Sequence, residues 1–191
     1  MKIGLFFGSF NPVHVGHMII ANHMVQYSDL DQVWMVVSPH NPLKNKASLA
    51  KDSDRYHLVE LAIGDNTKLK VSNVEFSLPL PSYTVDTLTF LREKYPGKTF
   101  ALIMGGDNLE SIEKWKNYQH ILENYDIYLY QRPGYNPDKY SNMTRVKSID
   151  APLLNISSTF IRQAIQKGKS VRYLVPDAVS DYLESSVLYR K

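Results

Sequence analysis

The sequence predicts a doubly wound α/β fold, a largely parallel sheet covered by helices on both faces. Two patterns predict it. Four short runs, residues 2–7 (KIGLFF), 33–37 (VWMVV), 100–104 (FALIM) and 127–130 (IYLY), are apolar at nearly every position, as strands buried on both faces must be. Between them lie segments with apolar residues at helical spacing, and strand–helix alternation of this kind builds a parallel sheet through right-handed crossovers.

The helices are expected in order. Residues 16–27 carry Met18, Ile19, Ala21 and Val25 at helical spacing. Residues 54–63 place Tyr56, Val59 and Ile63 on one stripe, with Asp52 and Ser53 as candidate caps. A third helix spans 85–94 and stops before Pro96-Gly97. A fourth starts after Ser157-Ser158, turns Phe160, Ile161, Ala164 and Ile165 inward, and ends at Gly168. A fifth begins at Pro176, a favoured first helical position, and buries Val179, Tyr182 and Leu183.

The chain has 191 residues, enough for one domain over 1–191, with about 163–191 as a small C-terminal helical part. The net charge of +3 is too small to argue for a nucleic-acid partner. The absence of cysteine excludes disulfides, zinc–thiolate sites and a cysteine nucleophile. The N-terminal run reads as a strand and not as a signal peptide. No apolar run approaches the roughly 18 residues that span a bilayer, so no membrane partner is expected and the cytoplasm is the expected location. Oligomeric state is not encoded legibly, and a homo-oligomer is compatible with the sequence.

In doubly wound sheets ligands sit beyond the carboxyl ends of the strands. Four segments emerge there: GSFNPVHVGH (8–17), SPHNPLKNK (38–46), GGDN (105–108) and ISSTFIR (156–162). In the first, Gly8 and Ser9 leave a strand where the backbone must turn, and Gly16-His17 begins a helix whose N-terminus favours an anion. His14 and His17, three apart, can both face one phosphate. A pair of surface histidines, or a metal pair completed by His23, are the other readings of these residues. In ISSTFIR, Ser157 or Ser158 can cap the helix, and Arg162 in its first turn can reach a phosphate. Asp107 of GGDN can accept from a ribose hydroxyl pair or cap a helix. Gly97-Lys98-Thr99 echoes the end of a P-loop, but Arg92 stands where the leading glycine belongs and a strand follows, so that reading fails.

GSFNPVHVGH resembles the GxFxPxHxGH signature of the nucleotidyltransferase superfamily, with Gly8, Phe10, Pro12, His14, Gly16 and His17 filling every position. ISSTFIR is similar to that superfamily's ISSTxIR motif, and GGD to its G-[GA]-D element. The resemblance implies a Rossmann-like nucleotidyltransferase fold and direct transfer of AMP from ATP to a phosphate acceptor. By the same resemblance His14, His17, Lys44 and Arg162 are the catalytic residues. Gly8, Ser9 and Phe10, then Gly105 and Asp107, and finally Ile156, Ser157 and Ser158 bind ATP. Lys44 lies in NPLK where relatives often carry PPHK or PPHR, and Lys46 could substitute for it. Mg²⁺ is expected with ATP, held by phosphate oxygens and water, with no protein metal site.

The acceptor is read from SYTVDTL (82–88) and Trp115, which resemble elements of the bacterial nicotinate mononucleotide adenylyltransferases. By that resemblance Ser82, Tyr83, Thr84 and Trp115 bind the pyridine mononucleotide, with Thr84 offering its hydroxyl and amide to the carboxylate and Trp115 stacking on the ring. Read alone, Trp115 is a packing residue and Thr84 an N-cap. Sister transferases acting on phosphopantetheine, glycerol phosphate or nicotinamide mononucleotide, and a silent nucleotide-binding module, are the competing expectations. Histidine could serve as a neutral donor or as a cation.

Overall fold

The computed structural model describes residues 1–39, 49–130, 140 and 143–190. Six parallel strands form one sheet in the order β3-β2-β1-β4-β5-β6. They are β1 (Lys2–Gly8), β2 (Gln32–Val37), β3 (Leu69–Ser72), β4 (Thr99–Gly105), β5 (Ile127–Tyr130) and β6 (Val146–Ile149). The helices are α1 (Val15–Gln26), α2 (Asp52–Ile63), α3 (Thr84–Lys94), α4 (Gly106–Glu110), α5 (Tyr118–Asn124), α6 (Ser158–Gln166) and α7 (Asp177–Ser185). The chain winds from β1 outward to β3, then returns to β4 on the other flank of β1. The order reverses between β1 and β4, where a crevice opens at the carboxyl edge.

The four apolar runs are the four central strands, and their alternate residues feed two separate cores. Phe6, Met35, Val37 and Ile103 pack with α1, α2, α6 and α7 on one face. Leu5, Trp34, Val36, Leu102 and Leu129 pack with α3 and α5 on the other. The two edge strands escape the apolar-run criterion because each is four residues long and breaks its apolar pattern with polar residues, Lys70 and Ser72 or Lys147 and Ser148.

Several local expectations need correction. Helix α1 starts at Val15, with His14 as N-cap, one residue earlier than Gly16-His17 implies. Asp52 lies inside α2 behind Lys51, because its carboxylate is engaged by Arg55 at 2.6 Å instead of capping. Pro176 occupies the N-cap of α7, not its first helical position. Phe160 is 56% exposed, because α6 buries only Ile161 fully against the core. Gly168 does take the left-handed conformation (φ 66°) just past the C-cap of α6.

At the amino edge of the sheet a charge cluster ties distant strands together. Lys2 donates to Asp126 at 2.6 Å and to Asp29 at 2.9 Å. The Tyr128 hydroxyl also donates to Asp29, and Lys147 and Arg145 add further cations. The Lys2 hydrogen bond, reinforced by Tyr128, holds Asp29 below the usual carboxylate range. For Asp126 partial burial pushes the pKa up, but the hydrogen bond and charge of Lys2 outweigh it and the net shift is downward.

At the opposite edge the arrangement depends on Arg55, whose side chain is fully enclosed. Its Nη1 donates to the carbonyl of Ser9 after β1 and, at 2.9 Å, to that of Ser38 after β2. Its Nε donates to Ala50 O at 3.1 Å. One guanidinium thus fixes the exits of two adjacent strands.

Two outcomes are expected. Carboxylates with depressed pKa values stabilise the fold above their unfolded pKa of about 4, and that stability is lost as pH falls through the lower folded values. Asp126→Asn should therefore melt lower than wild type at neutral pH and show a flatter dependence of melting temperature between pH 5 and pH 3; parallel curves would remove the cluster from the pH response. Arg55→Met should cost about 3–5 kcal/mol in chemical denaturation, because it strands three buried carbonyls and an acid; Arg55→Lys, lacking the planar fork, should recover only part.

Candidate active site

The segment GSFNPVHVGH leaves β1 at the switch point, and its first turn is shaped by packing. Phe10 adopts φ 43° and folds its ring back beneath Gly8, where a Cβ would lie only 2.7 Å from that ring. Glycine is therefore required at position 8 to let the loop close on itself. Phe10 is 1% exposed and packs edge-on against Phe6 (5.7 Å) and His17 (5.1 Å). The ring is an internal prop for the loop and for His17, which leaves the backbone of Phe10 as the part that faces a ligand in the expected ATP-binding role.

His14 and His17 do come together. Their rings stack with centroids 3.7 Å apart, and Nδ1 of His17 accepts from the backbone N–H of His14 at 3.2 Å. The orientation of the His17 ring is thus set by a backbone contact within the loop. No metal reading with His23 survives: His23 stacks on Tyr27 at the far end of α1.

The ISSTFIR segment docks directly on this loop, although 146 residues separate their contact points. Ser157 is the N-cap of α6 and accepts from the Phe160 amide at 3.2 Å. Ser158 uses its hydroxyl to bond Pro12 O at 2.9 Å. Arg162 donates to Asn11 O at 2.8 Å and to Thr159 Oγ1 at 3.3 Å. Arg162 sits a full turn into α6 and not in its first turn, yet its guanidinium reaches the same crevice. Ile156 packs against the core and anchors the approach to the helix. Asn11 is held from the other side as well, its Oδ1 accepting from Ala50 N at 3.1 Å.

GGDN follows β4 on the opposite bank of the crevice. Gly105 is the N-cap of α4 and Asp107 stands within its first turn, so Asp107 is not the capping residue. Its Oδ1 folds back over Gly105, where a Cβ would come within 2.6 Å. After α4 the chain makes a short 3₁₀ turn and delivers Trp115, which packs partly buried against the second core. The next residue ties this segment to the SYTVDTL turn: Lys116 pairs with Asp86 at 2.8 Å and lies 4.9 Å from the centre of the Tyr83 ring. Tyr83 is the N-cap of α3 and Thr84 its first residue, so Thr84 is not the cap. Trp115 and Ser82-Tyr83-Thr84 thus belong to one linked surface beside the crevice.

Lys44 and its substitute Lys46 lie outside the described residues. Three contributors escape a reading of the sequence. Arg55 looks like a solvated helix residue, Asn11 sits between two signature positions without belonging to the pattern, and Lys116 looks like an ordinary surface lysine. The only prior signal for any of them is the placement of Asn11 inside the motif.

The same chain features recur in known proteins. A sequence profile described as cytidylyltransferase-like matches residues 5–164. A relative from Flavobacterium johnsoniae is 53% identical over 193 aligned residues, covering all of both chains. One from Bacteroides fragilis is 45% identical over 93% of this chain and 89% of its own. Both are named "probable nicotinate-nucleotide adenylyltransferase". Among solved structures, a Plasmodium falciparum nicotinic acid mononucleotide adenylyltransferase complexed with NaAD superposes with a TM-score of 0.82 at 19% identity, over 98% of this chain and 97% of that one, which shows a shared fold. With the signature loop, its docked helix and full-length relatives in agreement, the chain belongs to the cytidylyltransferase-like family, among its nicotinate-nucleotide adenylyltransferases.

Proposed function

We infer that the protein transfers AMP from ATP to nicotinate mononucleotide, giving nicotinate adenine dinucleotide and pyrophosphate, a step of NAD synthesis. The observation that carries this reading is the docking of ISSTFIR on GSFNPVHVGH at the β1/β4 switch point, in a chain whose full-length relatives bear that activity in their names. The mononucleotide phosphate attacks the α-phosphorus of ATP in line, and pyrophosphate leaves from the opposite side. No side-chain nucleophile takes part.

Catalysis is then positioning and charge neutralisation. His17 donates from Nε2 to an α-phosphate oxygen, with His14 stacked beside it. Arg162, released from or shared with Asn11 O, guides the β- and γ-phosphates together with Lys44, and the N-terminal amides of α6 at Ser157 and Ser158 face the same groups. Ser9, Gly105 and Asp107 frame the adenosine, with Asp107 accepting from the ribose. Mg²⁺ enters as part of the ATP substrate. Thr84 with Ser82 and Tyr83 receives the pyridine carboxylate, and Trp115 stacks on the ring. The substrates are small molecules. Among the described residues no helix is long and apolar enough to cross a membrane. The modest net charge supports work without a nucleic acid, and cytoplasmic location accords with ATP as donor.

Pyrophosphate release should be fast with ATP and nicotinate mononucleotide and much slower with nicotinamide mononucleotide; the reverse order would overturn the acceptor assignment. His17→Ala should lower kcat by about 100-fold or more with little change in melting temperature; near-normal turnover would remove His17 from the chemistry. Trp115→Ala should raise KM for the mononucleotide about tenfold and leave KM for ATP within a factor of about two; an effect confined to ATP would misplace the ring.

A further inference from the structure

Glu75 is 2% exposed, an unusual position for an acid, and no catalytic step uses it. It lies in a 3₁₀ turn (Val74–Ser77) just beyond the carboxyl end of β3. Its Oε1 accepts from the hydroxyl of Thr87 at 2.9 Å, and Thr87 is itself fully buried in the first turn of α3. The same Thr87 hydroxyl lies 3.4 Å from the carbonyl of Tyr83. One buried acid therefore braces, through Thr87, the start of the helix that follows the Ser82-Tyr83-Thr84 turn.

We propose that Glu75 is a positioning residue for acceptor binding: it fixes the Ser82–Thr84 turn through Thr87, whose hydroxyl also reaches the Tyr83 carbonyl, without touching either substrate. The proposal rests on the reading above that this turn receives the pyridine mononucleotide. The turn carries few other constraints. It follows Pro79-Leu80-Pro81, Leu80 is 60% exposed, and no side-chain cap bond holds the start of α3. A loop that must present a hydroxyl and an amide to a small anion within a few tenths of an ångström needs support from behind, and Glu75 supplies it. Burial raises the Glu75 pKa above the usual carboxylate range against the opposing pull of the Ser38, Thr87 and Ser82 hydroxyls. An acid held toward neutrality is mimicked in shape and acceptor capacity by an amide, so glutamine should replace it well.

The test is steady-state kinetics with both substrates varied, on Glu75→Ala, Glu75→Gln, Thr87→Val and Thr84→Ala. Glu75→Ala should raise KM for nicotinate mononucleotide about tenfold, with KM for ATP within about twofold of wild type. Glu75→Gln should restore acceptor KM to within about threefold of wild type, a rescue that a purely structural defect with global effects would not show. Thr87→Val conserves shape and should raise acceptor KM about fivefold, carrying the test if Glu75→Ala does not fold. Unchanged acceptor KM in Glu75→Ala, or in Thr87→Val where the former is unfolded, overturns the proposal, as does a parallel rise in KM for ATP. Thr84→Ala separates the two layers. If it raises acceptor KM while the Glu75 and Thr87 variants do not, only this inference falls; if it also leaves acceptor KM unchanged, the turn is not the acceptor site and the underlying reading falls with it.

Discussion

The enclosed guanidinium of Arg55 is the contact on which the active edge of the sheet depends. Parallel strands end with carbonyls that the next crossover cannot satisfy, and at β1 and β2 these ends are also where a ligand must be met. Arg55 answers both needs, because its planar fork donates to the carbonyls of Ser9 and Ser38 at once while Asp52 compensates its charge. Burying a cation is costly unless every donor is engaged, so the geometry of the two loops is fixed by what the guanidinium requires.

From that base the loop is held on two further sides. Ala50 bonds Asn11 from the α2 side, whereas Ser158 and Arg162 of α6 bond Pro12 and Asn11 from the other. Inside the loop Phe10 fills the space that Gly8 leaves open and presents its ring to His17. The backbone bond from His14 to Nδ1 of His17 then sets the imidazole orientation. Each of these contacts limits motion of the His17 ring, and in the role proposed above that restraint is electrostatic preorganisation.

How far this could be read from residues alone follows from which residues report their own environment. The strands β1, β2, β4 and β5 are legible because two-sided burial leaves an unbroken apolar run. The edge strands β3 and β6 are not, since Lys70 and Ser72, and Lys147 and Ser148, break the apolar run and mimic loop composition. His14, His17 and Arg162 are legible through spacing within long motifs. Phe10 is legible as a signature position but not in its role, because only the left-handed turn shows that its ring points inward. Arg55 and Glu75 are silent in the sequence for the opposite reason. Charged residues on short amphipathic elements ordinarily face water, and the carbonyls and hydroxyls that enclose these two come from positions up to 46 residues away.

The site divides into two halves held by different kinds of contact, and that division bears on specificity. The donor half, built from the β1 loop, α2 and α6, is fixed mainly through backbone carbonyls of Ser9, Asn11, Pro12 and Ser38. Substituting neighbouring side chains there leaves most of those acceptors in place. The acceptor half is fixed through side chains: Lys116 with Asp86 and Tyr83, and Glu75 with Thr87. Its geometry therefore changes when those residues change. Adenylyl transfer can in this way be retained while the acceptor pocket is remodelled, because the groups that activate ATP do not rely on the side-chain ties that shape the surface for the mononucleotide.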